Sequence, residues 1–245
     1  MRQLTTFRFL LAFAILPVPL APAASWDFEQ GVTQWRQPDG GRVIAEPGAT
    51  GNHAYQVLAN KPHHTKLMLE GNNVSPDFLA SVRFRVLSSE GAKPTIFLYG
   101  RNGNSGFRGL RIASGSAQGF FWENKAKQLA ATSDSVRLPE TAGWIHAKLA
   151  CYGEFLFAKC WPQGPREPRW QIFGKRVGTD EGTFGVGVWL PPGQASETRV
   201  LIDDVEIQPI TEPDLTALGL RLGPRPPLKA SDVPAKPGVF ETADY

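Results

Sequence analysis

Cysteine is scarce in this chain: Cys151 and Cys160 are the only two among 245 residues. A small scaffold stapled by several disulfides is thereby excluded. Long hydrophobic runs are as rare, and past the first two dozen residues none approaches the ~20 apolar residues that span a bilayer. No segment sustains a helical apolar repeat long enough for a βαβ crossover, and no phosphate loop or dinucleotide fingerprint is present. Charge of one sign is not in excess either. The formal net charge of +3 becomes +1 if the two arginines of the first segment, Arg2 and Arg8, are subtracted. A global basic field is absent, so composition gives no support to nucleic acid as a partner.

What is present begins with an export signal. Arg2 and Arg8 lead into "FLLAFAILPVPL", followed by "APA". Basic residues, a short apolar run and small residues at the cleavage position predict a signal peptide over residues 1–23, cut after Ala23. About 12 apolar residues are too few for an anchor, so the mature chain is expected to be secreted or periplasmic with no transmembrane segment. The whole chain is rich in glycine and proline, with 25 and 21 residues, and 11% of it is aromatic. That composition fits a β-protein with many turns.

Period-two alternation between turn signals places strands at residues 53–59, 64–71, 78–88, 95–101, 107–114, 119–124, 183–190 and 198–208, with "WDFE" as an opening strand. Residues 53–59 and 64–71 read as a pair joined through Lys61 and Pro62. "KAKQLAATSDS" reads as a polar helix or loop. In "WIHAKLACYGEFLFAKCW" the hairpin should close around Gly153 and Glu154, setting Cys151 opposite Leu156 and Cys160 opposite Ala147. The sulfurs would then lie roughly 13 Å apart, favouring two buried thiols over a bridge unless the turn is irregular. The predicted class is all-β, a two-sheet antiparallel jelly-roll sandwich over residues 24–208. From residue 209 to 245 the texture is that of a proline-rich tail or linker, with a short helix in "DLTALGLRL" capped by Asp214.

The two ends of this region carry a resemblance. The opening "WDFEQGVTQW" (26–35), the closing "LIDDVEI" (201–207), "AKCWPQGPREPRW" (158–170) and "GTFGVGVWL" resemble, in order, segments of concanavalin A-like, laminin-G-like jelly rolls of secreted carbohydrate-binding or polysaccharide-active proteins. The motifs are short and tolerant. The resemblance implies first and last strands side by side, often a structural calcium, and often a glycan ligand. Glu29 with Asp203 or Asp204 are then the candidate metal ligands, since two carboxylates at a strand edge suit a hard cation. Alternation also predicts that Leu201, Asp203, Val205 and Ile207 share one face.

A glycan needs aromatic faces and planar polar groups. If Phe84, Leu98, Ile112 and Val188 point inward, then Arg83, Arg85, Tyr99, Arg101, Arg111 and Trp189 point outward, with His146 and Trp122 nearby. Those eight are the predicted ligand-binding residues, and their arginines suit a carboxylated or sulfated sugar. Trp161 and Trp170 are expected to pack around the prolines. No E-x-D-x-x-E run offers a glycosidase pair; Asp180 with Glu181 and Asp204 with Glu206 read as turn and edge residues. No catalytic residue is assigned. The expected function is a secreted glycan-binding module, with a polysaccharide-active enzyme or a cell-surface structural or adhesion module as alternatives. The partner is a polysaccharide or oligosaccharide.

Overall fold

The computed structural model describes residues 23–220 apart from 49–50, 61–63, 71–74, 90–92, 105, 114, 124–127, 139–142, 165, 176–181 and 192–196. The predicted leader through residue 22, the chain from 221 onward, and Asp180 and Glu181 lie outside the described residues. Strands follow in the order β1 (Ala24–Trp26), β2 (Trp35–Arg36), β3 (Arg42–Ala45), β4 (His53–Ala59), β5 (His64–Leu69), β6 (Phe78–Ser89), β7 (Thr95–Asn102) and β8 (Gly106–Ala113). Then come β9 (Ser116–Glu123), β10 (Gln128–Arg137), β11 (Ile145–Tyr152), β12 (Phe155–Pro162), β13 (Ile172–Lys175), β14 (Thr183–Trp189), β15 (Thr198–Pro209) and a short helix, α1 (Glu212–Ala217).

Alternating apolar residues need a partner surface, and each sheet supplies the other's. The first sheet runs β13-β12-β11-β6-β15-β4-β3, with β1 also on β15; the second runs β10-β9-β8-β7-β14-β5-β2. Phe84, Leu98, Ile112 and Val188 all point between the sheets into one buried cluster, as alternation predicts. The architecture is the expected all-β antiparallel jelly-roll sandwich.

The chain ends meet as neighbours: Trp26 lies opposite Val205 and Ala24 opposite Ile207. The aromatic opening has a packing role. Positive φ at Phe28, Gly31 and Gln34 folds the chain back on itself. Trp26 then meets Trp35 edge to face at 5.2 Å, and Phe28 packs 5.7 Å from Tyr55. The hairpin register is also as read: Cys151 pairs with Leu156 and Cys160 with Ala147. Both thiols are free and buried, and burial pushes the Cys160 thiol up to about 12.

Four expectations are corrected. β4 and β5 do not pair with each other; β4 joins the first sheet beside β15 and β5 joins the second beside β14. Their inward residues Tyr55, Val57, Leu67 and Leu69 face each other across the core instead. The polar stretch after residue 127 is the strand β10, at the end of the second sheet on β9, with two register shifts. A polar, irregular edge strand is how a sheet end avoids further pairing, and that polarity hides the strand from periodicity. Asp203 does not share a face with Val205 and Ile207. A bulge at Asp204, whose φ is +48°, flips the alternation. It falls where the partner of β15 changes from β4 to β1. Val205 and Ile207 therefore point into the core, whereas Leu201 and Asp203 point to the outer side of the first sheet.

The fourth correction concerns α1, whose N-cap is Thr211. The Asp214 carboxylate reaches back to accept hydrogen bonds from the Thr211 N–H and hydroxyl, both at 2.7 Å. Ile210, Leu215 and Leu220 then cover Leu79, Ala150 and Phe157 on the outer side of the first sheet. Residues 210–220, in the stretch read as tail, thus pack onto the sandwich. Trp170 joins this cover and donates its indole N–H to the Leu218 carbonyl at 3.0 Å.

Candidate functional site

The predicted ligand-binding residues divide between the two outer sides of the sandwich, because strand membership separates them. Arg83 and Arg85 of β6 and His146 of β11 stand on the first sheet. Tyr99, Arg111, Trp122 and Trp189 stand on the second. Arg101 belongs to neither: it is 4% exposed. It donates to the carbonyls of Pro76 and Gly153 and to the Asp77 carboxylate, tying loops together at one end.

On the outer side of the second sheet, alternation that normally delivers polar residues delivers rings. Met68, Phe97, Tyr99, Phe107, Phe120 and Trp122 form a cluster separate from the core, with Trp189 packed against it. β14 supports this layer through "FGVGV". Phe184, Val186 and Val188 point inward, whereas Gly185 and Gly187 leave the outer side bare. A Cβ on Gly187 would come within 2.6 Å of the Tyr99 ring, and one on Gly185 within 2.2 Å of the Met68 sulfur. Those side chains therefore lie down on the sheet.

Tyr99 stacks on Phe97 at 5.6 Å and 11°, and Phe107 stacks on Trp122 at 6.0 Å and 21°. Tyr99 is fully buried and forms floor; Trp122, Phe107 and the half-buried Trp189 are the outer members. The Lys66 ammonium lies 4.8 Å from the Tyr99 centroid and 5.5 Å from that of Phe107. Burial, and secondarily the charge of Arg36, holds its pKa below the usual lysine range. Arg36 and Arg111, opposite Met68 and Phe97 in register, add positive charge on the same side. Chemically this is a second apolar layer of stacked rings, none more than 9% exposed, with cations set against it and Trp189 as its partly exposed edge.

The first sheet's outer side is organised around Arg83. Its guanidinium lies 4.3 Å from the Trp144 ring. Three carboxylates approach it: Asp203 at 2.5 Å, Asp204 at 2.8 Å and Glu46 at 3.5 Å. Asn52 donates to both Glu46 and Asp203, and Trp144 donates its N–H to Glu46 at 2.8 Å. Desolvation raises the pKa of Asp203, while the Asp204 N–H and Arg83 oppose that shift. Beside Arg83, the His146 ring stacks on Trp161 at 5.4 Å and 17°.

Glu29 is turned elsewhere, accepting from the His53 N–H at 2.5 Å and contacting its Nδ1 at 2.7 Å. The predicted calcium set therefore does not fit this geometry: a guanidinium stands where the carboxylates converge, and Glu29 is engaged with His53. Among the described residues no cluster of three His, Cys, Asp or Glu side chains is poised for a metal ion.

Sequence reasoning missed Lys66, Phe97, Phe107 and Phe120. Period-two alternation contained the signal, since each alternates with a core residue on its strand. No family model and no curated protein matches this chain. Among solved structures, it is similar to the CBM66 carbohydrate-binding module of Bacillus subtilis, at 14% identity and TM-score 0.51, over 72% of this chain and 96% of that one. It is similar also to a protein of unknown function from Shewanella oneidensis MR-1, at 12% identity and TM-score 0.53, over 83% and 97%. At such identities the likeness is one of fold: a two-sheet β-sandwich.

Proposed function

We propose that this chain is an exported glycan-binding module of the concanavalin A-like kind, and that its ligand lies across the ring layer of the second sheet. The observation that carries this reading is the position of the cluster. Large rings form a second packed layer on the side of the sheet away from the core, with Lys66 set among them and Trp189 partly exposed at its edge, where a sugar ring can stack. Pyranose rings present an apolar face that stacks on such aromatics. The similar Bacillus protein is a carbohydrate-binding module, which supports the assignment by analogy of fold only.

The finer reading is an acidic glycan. Lys66, Arg36 and Arg111 supply cations, and guanidinium groups grip carboxylates or sulfates bidentately. The test is affinity electrophoresis of the mature chain through gels containing neutral, uronate-bearing or sulfated polysaccharides. The parent should be retarded in at least one gel, and Trp122→Ala should run freely in the same gel. Its midpoint should fall, because a ring only 8% exposed is lost, and mobility equal to the parent's in a gel without polysaccharide shows that it stays folded. Retardation by uronate or sulfate gels that is lost in Lys66→Met supports the acidic refinement. Equal mobility of parent and Trp122→Ala in every gel rejects the ring layer as the site.

A further inference from the structure

β6 sends two arginines to the outer side of the first sheet, and they have opposite circumstances. Arg83 lies opposite Asp203 of β15 and is surrounded by carboxylates. Arg85 lies opposite Leu201, an apolar residue. Its Nε is buried, and among the described residues nothing accepts from it. On the next strand Gln56 of β4 is opposite Leu201 on the other side and is only 5% exposed. Arg42 of β3, exposed, completes the row opposite Gln56.

A buried donor without an acceptor costs free energy, so Arg85 Nε beside the buried Gln56 calls for an explanation. Arg85 and Gln56 stand two strand spacings apart, about 10 Å between Cα atoms at ~4.8 Å per spacing. Their side chains together reach across that gap, above Leu201. A guanidinium, a carboxamide and a second guanidinium at the rim form a donor set for a planar or tetrahedral oxyanion. Arg83 cannot take this part, because its own carboxylates already neutralise it.

We propose that the row Arg42, Gln56 and Arg85 is a second ligand site, on the sheet opposite the ring layer, that binds an oxyanion: a carboxylate or sulfate ester of a sugar, or the free anion. The Arg85 guanidinium carries the charge recognition and the Gln56 amide donates one further hydrogen bond. Arg42 closes the site from solvent. The inference rests on this sheet alone and stands whether or not the second sheet binds a glycan.

The test uses the mature full-length chain, titrated by calorimetry with a galacturonate tetrasaccharide, with a sulfated disaccharide, and with sodium sulfate. Arg85→Met keeps the apolar stem over Leu201, and Gln56→Met does the same for the amide. Arg85→Met should fold with an unchanged or higher melting midpoint, because it removes an unpaired buried donor, and Gln56→Met should fold as the parent does. The parent should bind at least one probe, and Arg85→Met should weaken that binding about tenfold, as expected for a lost charged hydrogen bond. Trp122→Ala should leave this component in place, which separates it from the ring-layer site. Binding of sulfate equal to that of the sugars identifies a free-anion site, whereas binding of sugars alone identifies an acidic-glycan site; either supports the proposal. Binding of no probe by the parent, or identical binding by parent and Arg85→Met, overturns it.

Discussion

Arg83 shows how a single side chain sets the chemistry of a whole face. Asp203, with a side chain 1% exposed, is tolerable only because that guanidinium is 2.5 Å away. Arg83→Met should therefore destabilise the fold by about 3 kcal/mol, the cost of an uncompensated buried charge. Adding Asp203→Asn should recover a large part of the loss, and urea denaturation of the four members of the cycle measures it. Because this guanidinium occupies the meeting point of the carboxylates, excess chelator should leave the melting midpoint of the parent unchanged. A drop of several degrees would restore the calcium reading. His146 gives a pH handle. Burial first, then the charge of Arg83, depresses its pKa below 6.5, against smaller opposing effects from Asp204 and Glu167. The unfolded chain thus takes up the proton more readily, so stability rises with pH across this window. The contribution of neutral His146 is complete above 6.5 and lost as pH falls from there through the lower folded value. Unfolding measured from pH 7.5 to 5 should show that loss in the parent, and His146→Gln should lack it.

At the scale of elements, β15 is the strand on which most depends. Asp204 sits at φ +48°, where Asp and Asn are tolerated and β-branched residues are not. Asp204→Asn should cost under about 0.5 kcal/mol and Asp204→Val about 2 kcal/mol, the difference being read from chemical denaturation. Equal costs would mean that the bulge is not the constraint. This bulge also marks a limit of sequence reading. In "LIDDVEI" the adjacent Asp203 and Asp204 are the one local sign of the flip, which falls where β15 changes partner strand. Local features fared differently. The Gly153 turn and its flanking alternation fix the β11–β12 register, so the positions of Cys151 and Cys160 were legible residue by residue. Strand pairing at a distance was not: nothing within residues 53–69 says that β4 and β5 enter different sheets. The same ignorance merged Arg83, Arg85 and His146 with Tyr99, Trp122 and Trp189 into one predicted surface. The inward and outward assignments were correct for those residues; the sheet they belonged to was hidden. α1 was visible as a helix, but its role was not, because Leu215 shows its partner surface only in three dimensions. Leu215→Ala should cost about 2–3 kcal/mol, close to the usual value for a buried leucine.

For the whole molecule, the sandwich presents two outer sides with different chemistry on one core. The second sheet carries stacked, largely buried rings with cations, and the first carries a charge cluster beside the row of Arg42, Gln56 and Arg85. A core of this kind is held together without a disulfide between Cys151 and Cys160. Cys151 and Cys160 should react with a thiol reagent only after unfolding, both together, and reductant should not move the melting midpoint. The division of labour between the sheets rests on the ring layer being a binding surface. The most direct test is calorimetric titration of the mature chain with the polysaccharide fragment that retards it best, at low and at high salt, for the parent and for Trp122→Ala and Lys66→Met. The account predicts saturable binding by the parent that weakens with salt, a loss of at least tenfold in Trp122→Ala, and a salt dependence flattened in Lys66→Met. Undiminished affinity in Trp122→Ala, with both variants folded, would contradict it.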